Sequence, residues 1–234
     1  MKRKSDLYRF AINGCILILQ MFFSVGLMAQ SDAVKINPTN YFIVVTGGEL
    51  LEGVYPDSHT SFIARSLLKL GLRCVGSMIV DDNRNDIISA LSYATNKTSL
   101  IIVTGGLGPT ANDITRETLS EFTRIELREN QQLIEQIVRR FNVKRENLKQ
   151  NLIKQTLIPV KGGYLKSSSG TAAGLVFDMD RCQIIALPGP PSELQQMVNE
   201  ELLPFLQNKY GIHPLNNSIT VKFVGIGQSQ IDDT

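Results

Sequence analysis

The segment that most restricts this chain is Tyr41–Thr46 (YFIVVT), together with its later counterparts Cys74–Val80 and Ser99–Thr104 (SLIIVT). Short, almost continuous apolar runs rich in β-branched residues have no polar face, so strands of this kind are covered on both sides. Between them the pattern changes period. Thr60–Leu70 places Phe62, Ile63, Leu67 and Leu70 at helical spacing and is closed by Gly71. Asn85–Ala94 repeats that pattern through Ile87, Ile88 and Leu91. Strand and helix alternate over short connections, which predicts an α/β fold with a parallel sheet between helices.

Beyond Thr115 the chain reads as more helical. Leu133, Ile134, Ile137, Val138 and Phe141 form one apolar face, and Glu146–Gln155 continues in helical composition. Ala173–Asp178 and Cys182–Leu187 read as strands joined across Met179-Asp180-Arg181, after the Ser/Gly-rich stretch Ser167–Gly170. Pro190–Lys209 is then one amphipathic helix with Leu194, Met197, Val198 and Leu202 inward, and Ile219–Val224 is a last strand. The domain is expected over residues 38–211. Residues 212–234 read as a poorly anchored tail or as the stub of a following domain.

The amino terminus has another composition. Lys2, Arg3, Lys4 and Arg9 precede an apolar run from Phe10 to Ala29, and the chain turns polar at Gln30. A basic head, an apolar middle and a small residue at the break describe an export signal over residues 1–29, with Ala29 last removed. An uncleaved membrane anchor is the competing reading, against which stand Asn13, Gly14 and Gln20; a misassigned start, leaving a cytoplasmic protein, is the third. Without this leader, which holds four basic residues and one acid, the formal charge of +2 becomes −1. Charge therefore indicates no nucleic-acid surface. Cys74 and Cys182 lie in strand-like runs, where free buried thiols are the ordinary outcome and one disulfide the alternative. His59 and His213 are far apart, and no cysteine–histidine spacing suits zinc.

In an open parallel sheet, ligands bind beyond the carboxyl ends of the strands. Four segments of unusual composition fall there: Gly47–Gly53 with Gly48 and Glu49; Asp81-Asp82-Asn83; Gly105–Thr110 followed by Asn112-Asp113; and Pro188–Glu193. In the third, Gly105, Gly106 and Gly108 remove side chains, so backbone N–H groups can approach an anion. Asp113-Ile114-Thr115 then opens a helix, whose amino end favours negative charge. A phosphate suits that place; a tight turn with Asp113 as helix cap is the structural alternative. Should Asp81 or Asp82 stand beside Asp113, carboxylates and phosphate would share a divalent cation, Mg²⁺ being the usual one. Asp81-Asp82 reads equally as a cap of the next helix. Pro188, Gly189, Pro190 and Ser192 form a stiff loop, either against a ligand or as a lead into a helix. Ser169, Gly170 and Thr171 offer hydroxyl and backbone donors, or merely a flexible connection.

As an ordered set, GELLEG (48–53), VDDN (80–83), TGGLGPTANDIT (104–115), NLIKQTLIP (151–159), SGTAAG (169–174) and LPGPPSE (187–193) resemble the CinA family. Its amino-terminal part is a molybdopterin-binding-like domain related to MoaB, MogA and MoeA, and Val224–Ser229 matches the family's step into its next domain. The resemblance implies a three-layer α/β sandwich with a mostly parallel sheet, often a homo-oligomer, binding a pterin or nucleotide phosphate at the strand ends. It implies Asp113 and Asp82 as catalytic and metal-holding carboxylates, with Asp81 as a further ligand. Gly105, Gly106, Gly108, Thr110 and Thr115 would surround the phosphate. The cofactor implied is Mg²⁺ or Co²⁺, and molybdopterin is a possible ligand. The implied activity is hydrolysis of ADP-ribose to AMP and ribose 5-phosphate; a non-catalytic binding module and a degenerate fragment are the alternatives. The family's carboxy-terminal deamidase domain has no counterpart here. The chain departs from the family pattern at Gly48, His59, Asn112, Ser167, Ala173 and Gln228, and Asn112 replaces one of two neighbouring carboxylates.

Overall fold

The computed structural model describes residues 38–214. The leader, the strand expected at Ile219–Val224 and the motif at Val224–Ser229 lie outside the described residues. Among these, no helix is long and apolar enough to cross a membrane.

The elements in chain order are β1 (Asn40–Thr46), α1 (Gly48–Leu51), α2 (His59–Leu68), β2 (Arg73–Val80), α3 (Arg84–Thr95), β3 (Leu100–Thr104) and α4 (Thr115–Thr123). Then come β4 (Leu127–Glu129), α5 (Gln131–Phe141), a 3₁₀ turn (Arg145–Asn147), α6 (Gln150–Lys154), β5 (Leu157–Pro159), β6 (Gly162–Leu165), β7 (Gly174–Asp178) and β8 (Gln183–Leu187). The last helix is α7 (Pro191–Met197), a π turn (Val198–Leu202) and α8 (Leu203–Tyr210).

Six strands form one sheet in the order β2-β1-β3-β8-β7-β6. The pairs β1/β2, β1/β3 and β3/β8 are parallel, as the strand–helix alternation requires; β7/β8 and β6/β7 are antiparallel. The α/β reading holds, with an antiparallel edge where the chain doubles back over Met179-Asp180-Arg181. Apolar residues of β1 divide between two cores by strand periodicity. Tyr41, Ile43 and Val45 meet α2 and the last helix through Ile63, Leu67, Leu194, Val198 and Leu202. Phe42 and Val44 meet α3 and α4 through Ile87, Leu91 and Leu119. The fold is a three-layer sandwich. Cys74 packs with the first core and Cys182 with the second, so the sheet separates two free thiols.

Three local features differ from expectation. The long last helix has a π turn just before Pro204, which has no N–H for the carbonyl four residues back, so the ladder loosens there. All four residues expected inward on it are buried. Phe141 is 46% exposed, because its helix ends at left-handed Asn142 before the small cluster of Ile134, Ile137 and Leu148 can cover it. The short β4/β5 sheet falls in a region read as helical; its three-residue strands carry no periodic signal.

Candidate ligand cleft at the strand ends

Strand register brings the four unusual loops together. Thr46 pairs with Val80, Val45 with Thr104, and Thr104 with Leu187, so β1, β2, β3 and β8 end at one level. Backbone bonds then tie each loop to the next strand: Gly47 N–H donates to Val80 O, and Gly105 N–H to Leu187 O, both at 3.1 Å. The result is a cleft of about 650 Å³, in the range of small-molecule sites. Gly105, Gly106, Thr110 and Asp113 line one wall, Glu49 and Asp82 another, and Gly189 and Pro190 a third; Asn112 also faces it.

The glycine loop is built for close approach. Gly105 has φ +97° and Gly106 φ +64°, left-handed conformations that side chains disfavour. A Cβ on Gly105 would lie 2.5 Å from the Thr46 carbonyl, and one on Gly106 would lie 2.1 Å from Thr115 Oγ1. Among the described residues, the N–H groups of Gly106, Leu107 and Gly108 have no acceptor. Gly106 lines the cleft, whereas Leu107 and Gly108 line the cavity behind the loop; three free donors in sequence are of the kind that can receive an anion.

Asp113 lines the cleft and does not take the helix-cap place of the tight-turn alternative. It is not the helix cap, because α4 begins after Ile114 without a side-chain cap. Its Oδ2 accepts from the Thr110 N–H at 2.8 Å and from the Thr110 hydroxyl. The carboxylate thus holds the loop's shape at the edge of the cleft. Asp82 accepts the Gly48 N–H at 3.3 Å, and a Cβ on Gly48, which does not itself line the cleft, would lie 2.9 Å from Asp81 Oδ1. Burial pushes its carboxyl above the ordinary value, the Gly48 and Thr46 donors counteract this, and Glu49 and Asp81 add to the rise. The cap of α3 is Asn83, which accepts from Asp86 N–H, so neither aspartate is spent there.

Other expected residues fall elsewhere. Asp81 is exposed, accepts the Asp82 N–H and does not line the cleft, so it does not join Asp82 and Asp113 as a ligand. Thr115 is fully buried beneath the loop, 3.5 Å from the Thr46 hydroxyl; it supports the glycine loop and has no surface to offer a ligand. Ser192 is exposed on the first turn of α7 and lines neither this cleft nor the cavity beside it. Ser169 and Gly170 present carbonyls to Arg140 at 2.7 and 3.0 Å, so Arg140 holds that loop closed. Gly108, Thr171 and Pro188 line a second cavity behind the glycine loop, which also touches Gly106, Asp113, Gly189 and Pro190. Among the described residues, no three His, Cys, Asp or Glu side chains cluster as a metal cage.

Sequence patterns gave no sign of several participants. His59 enters the cleft from the start of α2, its Nδ1 3.0 Å from the Thr104 hydroxyl. Burial holds its imidazole below the ordinary value, against Asp57, the Gly189 backbone and Glu49. Lys154 reaches the Asp113 carbonyl and stands 3.5 Å from Glu117, binding α6 to the loop. Arg116 is fully buried; its Nε donates to Leu157 O at 3.3 Å and its Nη groups to Leu107 O at 3.4 Å. Burial lowers its guanidinium to about 10, with Glu117 and Asp113 opposing. One signal was available: a cation in the first turn of a helix opposes the helix dipole, so it has another purpose.

The family model for the probable molybdopterin binding domain matches residues 42–208. A competence-damage inducible protein of Thermoanaerobacter pseudethanolicus is 36% identical over 191 residues, 82% of this chain and 46% of the relative. A CinA-like protein of Microcystis aeruginosa is 33% identical over 190 residues, 81% and 46% of the two chains. This chain belongs to the family of the probable molybdopterin binding domain. It spans about half the length of the curated relatives it matches. The crystal structure of CinA from Thermoplasma acidophilum, a protein of unknown function, superposes with a TM-score of 0.67 at 25% identity, covering 73% of this chain and 99% of that one. A molybdopterin biosynthesis protein of Mycobacterium abscessus shares the fold at 14% identity, with a TM-score of 0.50 over 74% of this chain and 96% of its own.

Proposed function

We propose that this CinA-type domain binds a phosphorylated pterin or nucleotide, with the phosphate on the Gly106–Gly108 amides and the rest of the ligand along the cleft. The observation that carries this reading is the left-handed Gly105-Gly106 turn, which leaves three consecutive N–H groups without acceptors at the strand ends. Thermal-shift titration with ribose 5-phosphate, AMP and a pterin phosphate, with and without Mg²⁺, tests it. Stabilisation should grow with ligand concentration. No stabilisation by any of them in a folded sample refutes the reading.

A finer reading of the same cleft is metal-dependent hydrolysis of ADP-ribose, favoured by His59, its pKa lowered by burial, standing with Asp82 and Glu49 among the cleft residues. Asp82, with Glu49 or Asp113, would hold the cation against phosphate oxygens; bound there, Mg²⁺ or Co²⁺ stabilises charge developing on phosphorus. The chain's own contribution is threefold. The loop amides orient the phosphate, the Pro188–Pro190 loop encloses it, and His59 Nε2 accepts a proton from attacking water while Thr104 fixes the ring. AMP release from ADP-ribose with Mg²⁺ or Co²⁺, lost in Asp82→Asn, is the expected result. Saturable binding without AMP under either metal leaves a binding module instead.

A further inference from the structure

Residues 127–159 leave the main sheet and return to it as one excursion. Its entry and exit strands, β4 and β5, pair with each other, Leu127 with Pro159 and Glu129 with Leu157. At this stem Leu127 and Ile158 pack on the second core, and Arg116 donates to the Leu157 carbonyl at 3.3 Å. Beyond the stem, Ile134 and Ile137 of α5 and Leu148 ahead of α6 form an apolar cluster separate from both cores of the sheet. A lobe zipped at its stem and filled by its own cluster can turn as one body.

Polar side chains tie this lobe to two loops. Gln132, Gln136 and Arg140 recur every four residues and so share one face of α5. That face follows the connection from β6 to β7. Tyr164 OH donates to Gln132 Oε1 at 2.7 Å, and Gln136 Nε2 to the Ser167 carbonyl at 3.2 Å. Arg140 closes the series on the Ser169 and Gly170 carbonyls at 2.7 and 3.0 Å. At the end of α6, Lys154 Nζ donates to the Asp113 carbonyl and stands 3.5 Å from both the Thr110 carbonyl and Glu117. One lobe therefore grips the turn that carries Asp113 and, through a second cation, the Ser167–Thr171 loop.

We propose that Arg140 and Lys154 are the positioning residues of a clamp: the 127–159 lobe turns on its β4/β5 stem and, in closing, sets both loops in shape together. Each cation acts through backbone carbonyls and touches no ligand. Because both stand on one body, losing either grip releases both loops. A charged donor holds a carbonyl more strongly than a neutral one, so removing the Arg140 pair raises the open population about tenfold. The effect of the clamp on ligand affinity rests on the phosphate reading of the glycine loop; the coupling of the two loops does not.

The test is amide hydrogen exchange in the purified chain and in Arg140→Ala, Lys154→Ala and the double variant, read while the amides of β1 and β3 stay protected, so that only local opening counts. The reporters are the Thr115 N–H, bonded to the Gly106 carbonyl at 3.2 Å, and the Gly170 N–H, bonded to Ser167 Oγ at 2.8 Å. Arg140→Ala should speed exchange at Thr115 about tenfold, although it touches nothing there, and Lys154→Ala should do the same at Gly170. Exchange that rises only in the loop each cation touches, or in neither, overturns the clamp. Calorimetric titration with ribose 5-phosphate is the second arm. Each single variant should weaken binding severalfold, and the double variant should lose no more than the weaker single, because one released lobe cannot be released twice. Losses that multiply identify two independent tethers and also overturn the clamp. Failure of ribose 5-phosphate to bind the unaltered chain overturns the phosphate reading, and the exchange arm still decides the clamp.

Discussion

Replacing Gly105 by alanine tests whether the loop is shaped by close approach or only by backbone preference. At φ +97° an L-residue costs about 1–2 kcal/mol relative to glycine. The added Cβ would also stand 2.5 Å from the Thr46 carbonyl oxygen and 2.6 Å from Thr46 Oγ1. Thr46 ends β1, which is paired on both sides by β2 and β3 and cannot withdraw without disturbing the sheet. Forcing such a contact adds about 1–3 kcal/mol, for a total of about 2–5 kcal/mol. Gly53→Ala is the control, with φ +74° and nothing within 4 Å of the new Cβ, so it should lose only the conformational part. The chain has no tryptophan, so urea unfolding is followed by far-ultraviolet circular dichroism and extrapolated linearly to water. Phosphate-ligand binding should weaken in Gly105→Ala and persist in Gly53→Ala. Should the two variants lose equal stability within about 0.5 kcal/mol, the close approach at Thr46 is wrong.

Three further outcomes are expected. Arg116→Ala opens a cavity and leaves the Leu107 and Leu157 carbonyls unpaired, so urea unfolding should show a loss of about 3 kcal/mol or more, and no loss would contradict the bracing role. Because burial depresses the His59 pKa below 6.5, the unfolded chain binds a proton that the folded chain refuses. Stability should therefore fall as pH drops from 6.5 towards the lowered folded value, and His59→Asn should flatten that part of the Tm-versus-pH curve. Asp82 has the opposite sign: its raised pKa means that ionisation in the fold is unfavourable, so the stability it contributes is present below 3.8 and lost as pH rises through the folded value. Without divalent cation, Asp82→Asn should raise Tm at neutral pH and gain nothing at pH 3.8, while weakening cation-dependent ligand binding.

The runs at Tyr41–Thr46 and Ser99–Thr104 and the intervening helical spacing were enough to determine a parallel α/β sheet, because one strand's own pattern records burial on two faces. The order of loops was enough to place Glu49, Asp82, Gly105 and Gly189 at one end of that sheet, since parallel strands all finish on the same side. Burial of Leu194, Met197, Val198 and Leu202 was legible for the same local reason. Side-chain partners across the chain were not. Asp113 turns to Thr110, Asp81 turns outward while its neighbour turns in, and Thr115 disappears under the loop it helps to form. Arg116 acquires its meaning from a group far along the chain, a carbonyl 41 residues away. Periodicity reports which face of an element is buried, and the fold alone decides what each buried polar atom meets there.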